Sequence, residues 1–191
     1  TDAPSIDSVV RIIKGKANSK INLDIYRKAT RENLQFAMHR GQVPIQSVTG
    51  SFLIDEDLAY IKIQQFTDHT YTEFNSALNQ LVKASSDLSL IIDLRDNSGG
   101  YVEQAKLIME DLLPKGTLMY STLNNKDELK EFYTKKGSKN SFKHIYVLLN
   151  QNSASASEML AGAIQDNDLG TIVGRRSFGN GLVQVERPLG D

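Results

Sequence analysis

Residues 151–184 read QNSASASEMLAGAIQDNDLGTIVGRRSFGNGLVQ, and the reading of this stretch governs the rest of the chain. Just before it, Ile145 to Leu149 is an apolar run of strand length. Ser153, Ser155 and Ser157 then alternate with alanines. Ala156, Met159, Leu160, Ala163 and Ile164 follow at helical spacing, and the pattern ends near Gly170. The order is strand, small-residue turn, helix. Such a junction can hold a hydroxyl at a helix N-terminus, where free N–H groups and the dipole favour negative charge. Ser155-x-x-Glu158 also fits a capping box, so a purely structural role for Ser155 as a helix cap stands beside the chemical one.

Upstream, the chain from residue 47 alternates strands and helices. Ser47–Ile54 and Leu58–Phe66 read as a strand pair across Asp55-Glu56-Asp57. Thr70-x-x-Glu73 is a capping-box signal for a helix that turns Tyr71, Phe74, Leu78, Leu81 and Val82 inward. Leu88–Leu94 is apolar enough to predict a strand with little exposed face. A polar, glycine-closed loop, Arg95–Gly100, follows, then a helix over Val102–Leu113 stopped by Pro114. A strand is predicted near Thr117–Leu123, and the lysine-rich Asn124–Lys139 section reads as an exposed hairpin or excursion. This alternation predicts a mixed α/β fold, mainly a parallel sheet with helices packed on it.

The first 44 residues differ. Asp7 or Ser8 precedes a short helix with Ile6, Val9, Val10 and Ile13 on one face and Gly15 as its stop. Strands Ile21–Tyr26 and Leu34–His39 follow, and Gly41 to Pro44 reads as a boundary. One helix and two strands are too little for an independent core. The expected division is an annex at 1–44 and a core at 45–191.

Composition narrows the function. The 191 residues are 40% hydrophobic and 24% charged, enough for one core and a small annex. A net charge of -1 gives no electrostatic case for nucleic acid or an anionic membrane. The absence of cysteine excludes disulfides, thiolate zinc sites and a cysteine nucleophile. No apolar run approaches the roughly 18 residues of a membrane span. The start at Thr1 and the end at Gly190-Asp191 are expected of a segment of a longer protein, whose remainder would carry any targeting signal.

Two loops follow buried strands, and in open α/β sheets sites gather at the carboxyl ends of strands. Serine hydroxyls after one strand and glycine amides after another would supply a nucleophile and an oxyanion hole, the two parts acyl transfer needs. A base is still required. His39, His69 and His144 lie where surface or packing roles suit them, so a Ser-His-Asp arrangement is not expected. Asp93, Arg95 and Asp96 are expected to brace the loop by pairing with one another.

SASASEMLAGAIQDND with TIVGRRSFGNGLVQ resembles the active-site region of the C-terminal processing peptidases, or tail-specific proteases, of the S41 serine peptidases. DLRDNSGG (Asp93–Gly100) is similar to that family's oxyanion loop, and GSFLIDEDLAYIKIQQF to the start of its catalytic core. Ile6–Pro44 resembles the second half of its inserted PDZ domain. The resemblance implies a ClpP/crotonase-like core with a partial PDZ-like annex. It also implies a serine endopeptidase acting through an acyl-enzyme on proteins recognised by their C-terminal tails. No cofactor and no metal are implied. The relatives place the protein in the cell envelope, periplasmic or membrane-associated.

Carried over by motif, the resemblance makes Ser155 the nucleophile. Ala156 and one of Gly99 and Gly100 become the oxyanion donors, and Gln184 the assisting glutamine. The family's lysine falls on Asn180 in the turn Phe178-Gly179-Asn180-Gly181. An amide nitrogen delocalised into its carbonyl has no basic lone pair, so Asn180 cannot take the serine proton usefully. Arg175 and Arg176 stay protonated and cannot replace the base. Impaired peptidase activity is therefore expected. A peptide-binding pseudoprotease and an apolar-ligand carrier on the same fold are the alternatives.

Overall fold

A computed structural model describes residues 5–41, 46–84 and 88–183, and the chain divides into two compact units, 1–45 and 46–191. In the first unit, α1 (Ile6–Ile13) is capped by Ser5, whose Oγ accepts from the Ser8 N–H at 3.3 Å. The cap is thus Ser5 and not Asp7 or Ser8. Asp7 lies in the first turn, where its charge suits the positive end of the helix dipole. β1 (Lys20–Arg27) and β2 (Glu32–His39) pair antiparallel from Lys20↔His39 to Arg27↔Glu32. Arg40 joins hairpin to helix by donating from Nε to the Ile13 carbonyl at 2.7 Å and from Nη2 to that of Ile12 at 3.0 Å. Among the described residues of this unit none is buried.

The second unit is a five-stranded sheet in the order β3-β4-β5-β8-β9. Its elements are β3 (Val48–Asp55), β4 (Leu58–Ile63), α2 (Thr70–Ala84), β5 (Ser89–Asp93) and α3 (Val102–Leu112). The β6 (Leu118–Leu123) and β7 (Leu129–Tyr133) hairpin comes next, then β8 (Ile145–Leu149), α4 (Ala156–Asp166) and β9 (Thr171–Gly174). β3 runs antiparallel to β4, and the β4-β5, β5-β8 and β8-β9 pairs are parallel. The expected mixed sheet is present. β9 is not expected from the sequence, because a four-residue run after a glycine carries almost no periodic signal.

Register puts Ala59 and Ile61 beside Leu90 and Ile92, and these beside Ile145 and Val147. All six lie in the core, which α2 joins through Phe74 and Leu78, α3 through Ile108 and Met109, and α4 through Leu160 and Ile164. Their burial drives the packing, each large apolar side chain contributing about 1.5–3 kcal/mol. β5 departs from the two-sided burial expected of Leu88–Leu94: Ser89 and Ile91 alternate with buried neighbours and stay half-exposed. The expected capping box at Thr70 is also replaced. The Glu73 carboxylate accepts from the Ser47 and Val48 N–H groups at 2.8 and 2.9 Å, at the start of an edge strand. Thr70 Oγ1 instead accepts from the Thr67 N–H at 2.7 Å.

Candidate active site

β8 and β5 end side by side, so the loops that leave them meet. The first, after β8, turns sharply into α4 at Ser155, whose φ of 55° and ψ of -116° lie outside the ordinary regions for a side-chain-bearing residue. Such a conformation costs about 1–3 kcal/mol and persists only where its surroundings enforce it. They do so here. Ser153 is fully buried and donates from Oγ to the Leu94 carbonyl at 2.8 Å. Ser157, also buried, donates to the Asn97 carbonyl at 2.9 Å. The Ala154 N–H reaches the same Asn97 oxygen at 3.0 Å. Ser153 and Ser157 are therefore scaffolding, and half-buried Ser155 is the hydroxyl left facing outward. It lies beside the Glu158 amide in the capping-box arrangement without making a full cap hydrogen bond.

The second loop, residues 94–101, is organised by Asn97, whose side chain is fully buried. Its Nδ2 donates to the Ile63 carbonyl and its Oδ1 accepts from the Gly99 N–H, both at 2.9 Å. Gly99 has φ of 99°, and a Cβ there would come within 2.8 Å of Ser155 Cβ and 3.1 Å of the Ala156 nitrogen. Only a glycine lets this backbone lie against the serine elbow. The Gly99 amide is consumed by Asn97. The N–H groups of Gly100 and Ala156 take no acceptor among the described residues. Of the two glycines offered by the sequence, Gly100 is the one with a donor to spare.

Behind the loop, the buried Asp93 carboxylate accepts from Arg95 Nη2 and Tyr60 Oη, both at 2.6 Å. Burial by itself pushes this carboxyl up, but the Arg95 side chain, the Tyr60 hydroxyl, the Arg95 amide and the Lys62 charge outweigh it and hold it at about 2. Asp96 Oδ1 accepts from the side-chain amides of Asn152 at 2.8 Å and Asn150 at 2.9 Å, which ties the two loops together. The expected mutual pairing is observed for Asp93 and Arg95, whereas Asp96 pairs with neither and braces the loop through Asn150 and Asn152 instead.

Glu158 does more than close a capping box. Its Oε2 accepts from the N–H groups of Ser155 and Asn180, both at 2.9 Å. Its Oε1 accepts from Ser177 Oγ at 2.7 Å and from the Gly179 N–H at 2.6 Å. Burial raises its pKa, yet the Ser177 hydroxyl and then the amides of Asn180, Gly179 and Ser155 bring it below its ordinary value. Because they share one oxygen, the backbone nitrogens of Ser155 and Asn180 are at most about 5.8 Å apart. A sequence spacing could suggest the cap but not this second grip, made across more than twenty positions.

Ser155, Gly100 and Asn180 line one cleft of about 690 Å³, walled also by Phe66, Tyr101 and Leu182. Asn180 is exposed, and its Oδ1 accepts from the Leu182 N–H at 3.1 Å, so its side chain is turned toward its own backbone. Gln184 lies outside the described residues. His69 pairs at 3.6 Å with Asp68 on the surface, and none of the three histidines is among the residues of the cleft wall. Among the described residues no group of acidic and histidine side chains could hold a metal ion.

A strained serine elbow beside a glycine loop, on neighbouring parallel strands, is the arrangement of a serine-type peptidase on a ClpP/crotonase-like α/β core. Residues 57–191 match the model of peptidase family S41, and the chain belongs to that family. It is 34% identical over 195 aligned positions to a carboxyl-terminal-processing protease of Synechocystis sp., covering 100% of this chain and 45% of that protein. Against the carboxy-terminal processing protease CtpB of Bacillus subtilis the identity is 31%, over 97% of this chain and 39% of the other. A solved photosystem II D1 C-terminal processing protease superposes with a TM-score of 0.65 at 26% identity, covering 90% of this chain and 47% of that one. The chain thus spans less than half the length of each of these relatives.

Proposed function

We propose that this chain carries the catalytic core of a serine endopeptidase of the C-terminal processing type, with its general base missing. Ser155 Oγ would attack the scissile carbonyl, and the oxyanion would be held by the N–H groups of Gly100 and Ala156. The carrying observation is the close seat of the glycine loop against the Ser155 elbow, with Ser155 and Gly100 lining one cleft and the N–H groups of Gly100 and Ala156 taking no acceptor among the described residues. Preformed donors of this kind are each worth about 10²–10³ in rate, because they need no reorganisation as charge develops. Asn180 occupies the position the family gives to its lysine, and Gln184 the position of its assisting glutamine.

Without a base, proton removal from Ser155 falls to water. Loss of one member of such a unit costs on the order of 10⁴–10⁶ in turnover. The chain therefore binds peptide far better than it cleaves it, and the pseudoprotease reading describes the same molecule under assay. The first unit, as half of a PDZ-like module, would hold a substrate tail by adding it as a strand. Substrates are proteins presented by their C-terminal tails, and the site of action is the cell envelope.

The test is Asn180→Lys with an internally quenched peptide series. Cleavage should rise by several orders of magnitude and vanish again in the Asn180→Lys, Ser155→Ala double variant. Turnover that ignores the Ser155 substitution would reject the assignment.

A further inference from the structure

Asn180-Gly181 is the one Asn-Gly pair in the sequence. We propose that Asn180 is a self-modifying position, its side-chain amide cyclising onto the Gly181 nitrogen and hydrolysing to aspartate or isoaspartate in the cleft beside Ser155. The proposal concerns the chemistry of the turn and does not depend on peptidase activity.

Four observations support it. First, Asn180 is exposed, in a stretch without helix or strand. Backbone there can reach the conformation that brings the following nitrogen onto the side-chain carbon, which ladders forbid. Second, Gly181 has nothing within 4 Å of where a Cβ would stand, so the attacking nitrogen is unhindered. Its N–H has no acceptor among the described residues. Third, the Asn180 Oδ1 accepts from the Leu182 N–H at 3.1 Å. That bond polarises the side-chain carbonyl and makes Cγ more electrophilic. Fourth, the leaving nitrogen, Nδ2, makes no hydrogen bond among the described residues.

Other asparagines lack this combination. Asn97 Nδ2 is held by the Ile63 carbonyl in a buried site, and Asn167 Nδ2 by the carbonyls of Ala163 and Leu118. Asn150 and Asn152 donate to Asp96.

The step balances without a co-reactant other than water. Gly181 N loses its proton and bonds to Asn180 Cγ, and ammonia departs as the five-membered imide closes. Water then opens either carbonyl, giving a carboxylate on a normal backbone or one carbon displaced in an isoaspartyl linkage. Either product puts a new negative charge near the Glu158 carboxylate, whose oxygens already hold the Asn180 and Gly179 amides. The isoaspartyl form also lengthens the main chain by one carbon within the turn. The lining of the cleft next to Ser155 is altered by age alone.

The native chain is to be incubated at mildly alkaline pH, sampled over days, and mapped by peptide mass spectrometry with isoaspartyl methyltransferase labelling. The expected result is conversion at residue 180 ahead of every other asparagine, abolished in Asn180→Gln and strongly slowed in Gly181→Ala. The alanine has open space and a permitted backbone at that position, so the variant should fold. The proposal is overturned if residue 180 stays intact in the native chain while converting in denaturant, if Asn140-Ser141 or another site converts first, or if Gly181→Ala leaves the rate unchanged.

Discussion

Two segments bound the cleft, and they are built differently. The glycine loop, residues 94–101, is anchored from inside by buried Asn97 and Asp93, each bonded both to β4 (Ile63, Tyr60) and to the loop itself (Gly99, Arg95). The turn over residues 177–180 is exposed apart from half-buried Ser177, and three of its residues hang on the single carboxylate of Glu158. The glycine-loop side is thus part of the core, whereas the side that carries residue 180 is attached to it. A substitution on the first side should cost global stability. One on the second should change local order and chemistry while leaving the fold in place.

The largest effect is expected at Gly100. A Cβ there would lie 2.1 Å from the Phe66 carbonyl oxygen, at a φ of 135°. Strain and overlap together predict a loss of about 3–5 kcal/mol for Gly100→Ala, read by denaturant unfolding. An unchanged midpoint would mean that the loop is free to move, and the contrast between the two segments would fail.

Acid should act next, through Asp93. Its folded pKa of about 2 lies below the ordinary 3.8, so its contribution is complete above the unfolded value and is lost as pH falls from about 4 towards 2. The gap corresponds to about 2 kcal/mol. In Asp93→Asn the acid limb of a stability-against-pH curve should flatten over that interval. A limb as steep as in the parent would assign the acid sensitivity to other carboxylates.

Glu158→Gln should have the smallest global effect and the most local one. A neutral amide in place of the carboxylate offers one acceptor oxygen to four donors. Unfolding should shift by less than about 1 kcal/mol, since the turn is solvated, while the amides of Gly179 and Asn180 lose protection from hydrogen exchange. Falling pH should do the same to the parent as Glu158 takes up a proton below the ordinary carboxylate range, its folded pKa being the lower one. Equal protection in parent and variant would sharpen the picture by showing that another tie holds the turn.

How much of this could be read beforehand follows from the range of each interaction. The serine elbow, the glycine loop and most strands and helices of the second unit were legible, because turn chemistry and apolar period act within a few residues. The sequence alone makes Glu73 and Glu158 local caps. Glu158 does cap the Ser155 N–H, but its carboxylate also reaches Gly179 and Asn180, and that of Glu73 goes to Ser47 and Val48, contacts about twenty to twenty-six positions away that no spacing rule contains. The choice between Gly99 and Gly100 was equally hidden, since it depends on which amide the Asn97 side chain captures. β9 is too short to leave a period, and the sequence does not single out the cap of α1, because Ser5, Asp7 and Ser8 are all acceptable capping residues.

The proposed chemistry needs the Ser155 hydroxyl, the amides of Gly100 and Ala156, and a base that an asparagine at residue 180 does not supply. The most direct measurement is labelling with a fluorophosphonate, located by mass spectrometry, in the parent and in Asn180→Lys. The account predicts rapid covalent capture at Ser155 in the lysine variant and at most a trace in the parent. Equal labelling of the two proteins, or adduct on a residue other than Ser155, would contradict it.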